Sequence, residues 1–208
     1  MLKAAFLSST RIIIVAFIAL LPVLSASPST SFTCACCAES GEWYERTGRM
    51  EAYEIAELQR VEFDKTARIY LTAAGYEDLK GLSLEYDSFT LSSLLKPSLA
   101  LTLRFKGERG ETGSLTLPLP KVATSFGADL HDAPEGSAGP ILYKEWRFKG
   151  LVSGSGFFKK SITPGTKFHL ILQGRGNNCL SSSDFTSWRL DIIGPRASYA
   201  FYGSLKNP

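Results

Sequence analysis

KFHLILQ, residues 167 to 173, sets a large apolar residue at every second position. Phe168, Leu170 and Leu172 fall on one side of an extended chain, and Lys167, His169, Ile171 and Gln173 on the other, because successive side chains of a strand point to opposite faces. The stretch reads as a half-buried strand with His169 on its solvent side. The same period of two recurs in LALTLRF (99–105), GSLTLPL (113–119), LYKEWRF (142–148), SWRLDII (187–193) and ASYAFYG (197–203), and more weakly at 61–72 and 82–91. Gly-containing turns separate these runs, as at Lys106 to Gly113 and at Thr163, Pro164 and Gly165. Trp188 shares its face with Leu190 and Ile192, and Trp146 with Leu142 and Phe148, which assigns both indoles to the core. The expected fold is all-β, an antiparallel β-sandwich or barrel of about 8 to 10 strands. Two stretches depart from it: RMEAYEIAELQR (49–60) has a helix-favouring composition, and SSDFTSW (182–188) offers Asp184 as the cap of one helical turn.

The N-terminus sets the compartment. Lys3 and Arg11 precede an uncharged run from Ile12 to Leu24, which ends in Ser25, Ala26 and Ser27. This charged, apolar and small-residue order is that of a secretory signal peptide. The 13-residue run is shorter than the roughly 20 residues a membrane-spanning helix needs. Residues 1–26 are therefore expected to be removed, leaving 27–208 as one secreted or periplasmic β-rich domain with no transmembrane span. Attachment of an acyl chain at Cys34 is the competing expectation, and bulky Phe32 just before it argues against that signal. Loss of Lys3 and Arg11 lowers the net charge from +3 to +1. So even a balance gives no footprint for nucleic acid.

Outside the cytosol, an even cysteine count points to disulfides. SFTCACCAESGEWYE (31–45) holds Cys34, Cys36 and Cys37, and the fourth cysteine is Cys179. Adjacent Cys36 and Cys37 have alpha carbons about 3.8 Å apart, below the usual disulfide span of roughly 4.4–6.8 Å. The favoured pairing is Cys34 with Cys37 and Cys36 with Cys179, followed by one in which Cys37 reaches Cys179. Either closes a loop of about 140 residues and would tether the Cys-rich segment 27–48 to the body; the chain-entropy relation gives such a bridge up to about 5 kcal/mol. The alternative is a soft-metal site, since three thiolates suit copper or zinc.

Candidate binding groups come from two loops. KVATSFGADLHDAPEGSAGP (121–140) is expected to be a long irregular connection, and its Asp129, His131 and Asp132 are candidate metal ligands. In QGRGNNCLSSSDF (173–185), Gly174 and Gly176 are expected to permit a sharp turn presenting Arg175, Asn177 and Asn178 to a carboxylate or a sugar. With only His131 and His169, and no serine in a nucleophile elbow, the chain offers little for nucleophilic catalysis.

Gly41, Glu42, Trp43 and Tyr44 resemble the short GxW motif that opens the first strand of lipocalins. That resemblance implies a hollow barrel carrying a small apolar ligand, with Trp43 plugging one barrel end. Taken together, the sequence leads us to expect an exported, disulfide-stabilised, non-catalytic binding or interaction module without a cofactor. Its partner would be a small molecule or another extracytoplasmic protein. The alternatives are a metal protein using Cys34, Cys36 and Cys37 and a lipocalin-like carrier.

Overall fold

The computed structural model describes residues 41–72, 75, 79–82, 86–132, 135, 141–176 and 180–206. The expected signal peptide, all four cysteines, Asn177 and Asn178 lie outside them. The described chain is built from strands β1 (Trp43–Arg49), β2 (Glu62–Phe63), β3 (Thr66–Ile69), β4 (Ser88–Leu95), β5 (Ala100–Lys106), β6 (Thr112–Pro118), β7 (Val122–Asp129), β8 (Leu142–Leu151), β9 (Ser153–Gly156), β10 (Lys167–Gly176), β11 (Phe185–Gly194) and β12 (Ala197–Lys206). Helix α1 (Ala52–Arg60) and a single 3-10 turn, Ser182–Asp184, complete it. None of the described helices is long and apolar enough to cross a membrane.

All strands join one antiparallel sheet of twelve, in the order β1-β7-β8-β10-β11-β12-β3-β4-β5-β6-β9, with β2 added on β12. The strands are more numerous than the 8 to 10 expected, and the hydrogen-bonded path is open, ending at β1 and β9. Yet β9 follows β8 with Val152 alone between them. The far end of the path is thus covalently next to its third strand, and the sheet curls back over one core.

The alternation that marked the strands places that core. Phe168, Leu170 and Leu172 of β10 are buried, as are Trp188, Leu190 and Ile192 of β11 and Trp146 and Phe148 of β8. They share one cluster with Phe89, Phe105, Phe158 and Phe201 from the other wing. Side chains from both wings therefore fill the space between them.

Three strands were not foreseen, β1, β7 and β9. β7 occupies the first half of the segment expected to be irregular, and its pattern is inverted. Small Ala123, Ser125 and Gly127 face inward while Phe126 points outward, and Tyr44 of β1 lies over Gly127, where a Cβ would overlap its ring. β1 is an edge strand with charges on both faces, and β9 reads Ser-Gly-Ser-Gly, so neither shows an apolar alternation. Trp43, expected to plug a barrel end, is 69% exposed on β1 and leans on Phe126 at 6.3 Å.

The helix expected within 49–60 is present as α1. Leu58 anchors it in the core, Glu54 accepts from Arg46 and from the Glu51 backbone N–H, and Glu57 accepts from the Ser182 backbone and hydroxyl. The Ser182 hydrogen bonds hold the Glu57 carboxyl below its usual range.

Asp184 is not a helix cap. It ends the 3-10 turn, whose cap position is Ser181, and turns inward to meet Lys144 of β8, with Nζ and Oδ2 2.6 Å apart and the lysine side chain 1% exposed. Burial pulls the Lys144 pKa down, opposed by the Asp184 carboxylate. This pair also explains Gly174 and Gly176, neither of which adopts a positive φ or makes a turn. Both lie within β10, where a Cβ on Gly176 would overlap the Asp184 carboxylate and one on Gly174 its carbonyl oxygen.

Candidate functional site

Of the sequence-derived candidates, Asp129, His131, Asp132 and Arg175 are described, and they gather at one end of the sheet. Asp129 at the end of β7 and Gly176 at the end of β10 both pair with Leu142 of β8, so the two loops expected to bind ligands are neighbours. Arg175 grips Asp132 with both terminal nitrogens, Nη1 lying 2.7 Å from Oδ2, and also donates to the Ile141 carbonyl at 3.2 Å. Arg175 does recognise a carboxylate, but one from its own chain, and its hydrogen bond keeps the Asp132 pKa low. Asp129 accepts from the His131 N–H at 2.9 Å and the Gly41 N–H at 2.8 Å, which lower its pKa in that order. His131 takes the left-handed conformation, φ 57°, that this short turn demands. Among the described residues, no three His, Cys, Asp or Glu side chains gather into a metal-holding group. Asp129, Asp132 and Arg175 instead fasten the β7–β8 connection to β10 and to the start of β1.

A different surface has its polar and apolar groups turned outward. On the outer face of β8, β10 and β11, a groove of about 540 Å³ runs between Leu151 and Ile193, over the backbone of Gly150 and Phe168, flanked by Lys149, Lys167 and His169. The register fixes this arrangement. Leu151 pairs with Lys167, and Lys167 with Ile193, so one row reads aliphatic, cation, aliphatic. In the next outward row His169 stands between Lys149 and Asp191. Leu151 and Ile193 are 59% and 62% exposed, among the largest exposures of any aliphatic side chain described. A β-sheet with a covered core ordinarily turns polar residues to this side.

His169 forms the groove wall. Its Nδ1 lies 3.9 Å from Asp191 Oδ2, and its Nε2 is buried without a hydrogen-bond partner in the described structure. Burial first and the Lys149 charge second push its pKa below 6.5, with Asp191 opposing. It therefore stands neutral at neutral pH, and the groove's positive charge resides on the two lysines.

Two other shallow grooves lie on outer faces. One, beside Tyr70 and Tyr202, is lined by Arg189, which stacks over Tyr70 at 5.3 Å and pairs with Asp191 at 2.8 Å, so its cation is already matched by an acid. The other, on β4, β5 and β6, is rimmed by Thr90, Ser92, Thr112 and Ser114 with Arg104 and Lys106. Hydroxyls on a solvated sheet face reflect strand propensity as readily as binding. The groove at Leu151 and Ile193 is the one that exposes apolar area beside uncompensated charge.

Comparison with known protein families, with curated proteins and with solved structures gave no match. The groove was missed in the sequence because its residues sit at strand ends. The period-two run at β8 was followed only to Phe148, although Lys149 and Leu151 continue it. An outward Leu or Ile at the end of such a run was the available signal.

Proposed function

We propose that this chain is an exported, disulfide-tethered, non-catalytic binding module that takes an amphiphilic anion in the outer groove between Leu151 and Ile193. The observation that carries the reading is the row Leu151, Lys167 and Ile193. It offers two aliphatic walls to an apolar moiety and, with Lys149, cations to an acidic group. A carrier of the lipocalin kind needs interior space, whereas Trp146, Trp188, Phe105, Phe148 and Phe201 fill the inner face here.

Secretion to the cell exterior or periplasm rests on the sequence of residues 1–26. Support for the tether comes from where the flanking residues sit. Gly41 precedes β1 and Gly176 ends β10, at the same end of the sheet and three strand spacings apart, about 14 Å. Cys36 and Cys179 lie five and three residues beyond these points, and eight residues reach up to about 28 Å, with Cys37 one residue nearer. Thiol titration of the denatured native protein is expected to find no free thiol. Three or four reactive thiols would instead favour the metal protein built on Cys34, Cys36 and Cys37.

The groove itself is tested with anilinonaphthalene sulfonate, an aromatic anion whose fluorescence rises in apolar surroundings. The native protein is expected to bind it saturably, and Leu151→Ser with Ile193→Ser to abolish the signal while the denaturation midpoint stays in place. Full dye binding by that double variant would return the site to the interior and with it the carrier reading.

A further inference from the structure

The groove lies at one end of a longer outward row that carries further positive charge. Leu151, Lys167, Ile193, Ser198 and Lys80 are successive register partners across five chain segments. At about 4.8 Å per strand the line is on the order of 19 Å long. The adjacent outward row adds Lys149, and Arg49 pairs with Val122 on the flanking β1–β7 ladder. Val122 is 51% exposed, which brings a third aliphatic side chain to the face. Arg196 sits exposed in the turn joining β11 to β12, directly beyond Ile193. Asp191 is the one acid among the outward positions of these rows, and Arg189 already holds it at 2.8 Å.

A single small anion would engage two lysines and leave the rest of this line unused. Exposed aliphatic side chains interspersed with lysine and arginine along one face suit a surface that is acidic outside and apolar just beneath. Resting on the groove's role as the binding site, we infer that this face docks on an anionic lipid surface, with Val122, Leu151 and Ile193 entering the headgroup layer and Arg49, Lys80, Lys149, Lys167 and Arg196 meeting lipid phosphates. The physical basis is that basic residues near an anionic leaflet and apolar side chains at its boundary both favour binding, and the basic share falls as salt rises.

The test is co-sedimentation of the full chain with vesicles of phosphatidylcholine containing about a third phosphatidylglycerol, read against pure phosphatidylcholine vesicles. A chain purified with the apolar stretch 12–24 still attached carries it in every variant alike, so differences between variants report on the face alone. The native protein is expected to prefer the anionic vesicles, and to lose that preference in high salt. Lys149→Glu with Lys167→Glu should weaken anionic-vesicle binding by at least about tenfold. Arg104→Glu with Lys106→Glu, on β5 and facing away, should leave it unchanged. Lys149→Gln with Lys167→Gln gives the same reading with milder changes should the glutamates disturb folding. Equal binding to both vesicle types, an unaffected lysine variant, or an equal loss in the Arg104 and Lys106 variant would overturn the inference. So would binding to soluble dextran sulfate with none to vesicles. Dye binding at the groove without any vesicle preference would sink the membrane inference and leave the groove reading standing.

Discussion

Asp184→Ala is expected to cost about 3–5 kcal/mol of folding stability, because it removes the carboxylate that lies 2.6 Å from the buried Lys144 ammonium. Against a total of roughly 5–15 kcal/mol for an ordinary domain, that is a change visible as a large shift of the urea midpoint. Lys144→Met should cost a similar amount by stranding the acid. The two losses are not expected to add. In Lys144→Met with Asp184→Val both charges are gone and most of the stability returns, since a buried pair is stabilising mainly relative to half of itself. Full additivity of the single losses, or single losses below about 1 kcal/mol, would mean that the two groups are not buried against each other. The local backbone is built around this pair. β10 and β11 lose step between Gln173 and Gly174, and the two glycines clear the space into which Asp184 turns. The pair lies at the end of the sheet where Arg175, Asp132 and Asp129 tie the loops, so its loss should also loosen that corner.

How far the sequence could foretell this structure depended on which face of each strand carried the information. Where the inward positions are large and apolar, as in β5, β10, β11 and β12, alternation alone located the strands to within a few residues. It also placed Trp146 and Trp188 in the core correctly. β7 reversed that signal by packing Ala123, Ser125 and Gly127 inward, and no periodicity argument can find a strand whose buried side is its smaller side. Lys144 was hidden for the related reason that a lysine between Leu142 and Trp146 on the inward face has a partner 40 residues away. Arg175 and Asp132 were each singled out as reactive groups, but their chemistry is spent on one another, a pairing that only the fold brings about. The basic face escaped because a net charge near zero conceals how cations from β1, β8, β10 and two turns are sorted onto one side. The two glycines in β10 were recognised as special for the wrong property. They were expected to supply backbone freedom, and what they supply is the absence of a Cβ.

Phe201→Ala is the second large effect expected, again about 3–5 kcal/mol. The ring of Phe201 lies 4.6 Å from that of Phe105, 5.6 Å from Phe89, 5.7 Å from Tyr199 and 5.8 Å from Phe158, measured between centroids, so side chains from β4, β5, its own strand and a turn close on it. Truncation removes these contacts and leaves a hole that the surrounding rings cannot fill without shifting, and the hole adds to the transfer cost. Phe201→Leu keeps most of the volume and should cost about 1.5 kcal/mol or less. A hollow barrel would respond differently, since a side chain lining an open cavity loses little when shortened. Near-native stability in Phe201→Ala would therefore reopen the carrier reading. The contrast with Leu151→Ser and Ile193→Ser makes the comparison sharper, because those side chains are on the opposite side of the same curled sheet and are mostly in water already. Inward truncation should shift the denaturation midpoint, and outward truncation should leave it in place and remove the dye. This separation follows from a sheet whose inner face is committed to holding itself together, which leaves binding to the face turned toward water.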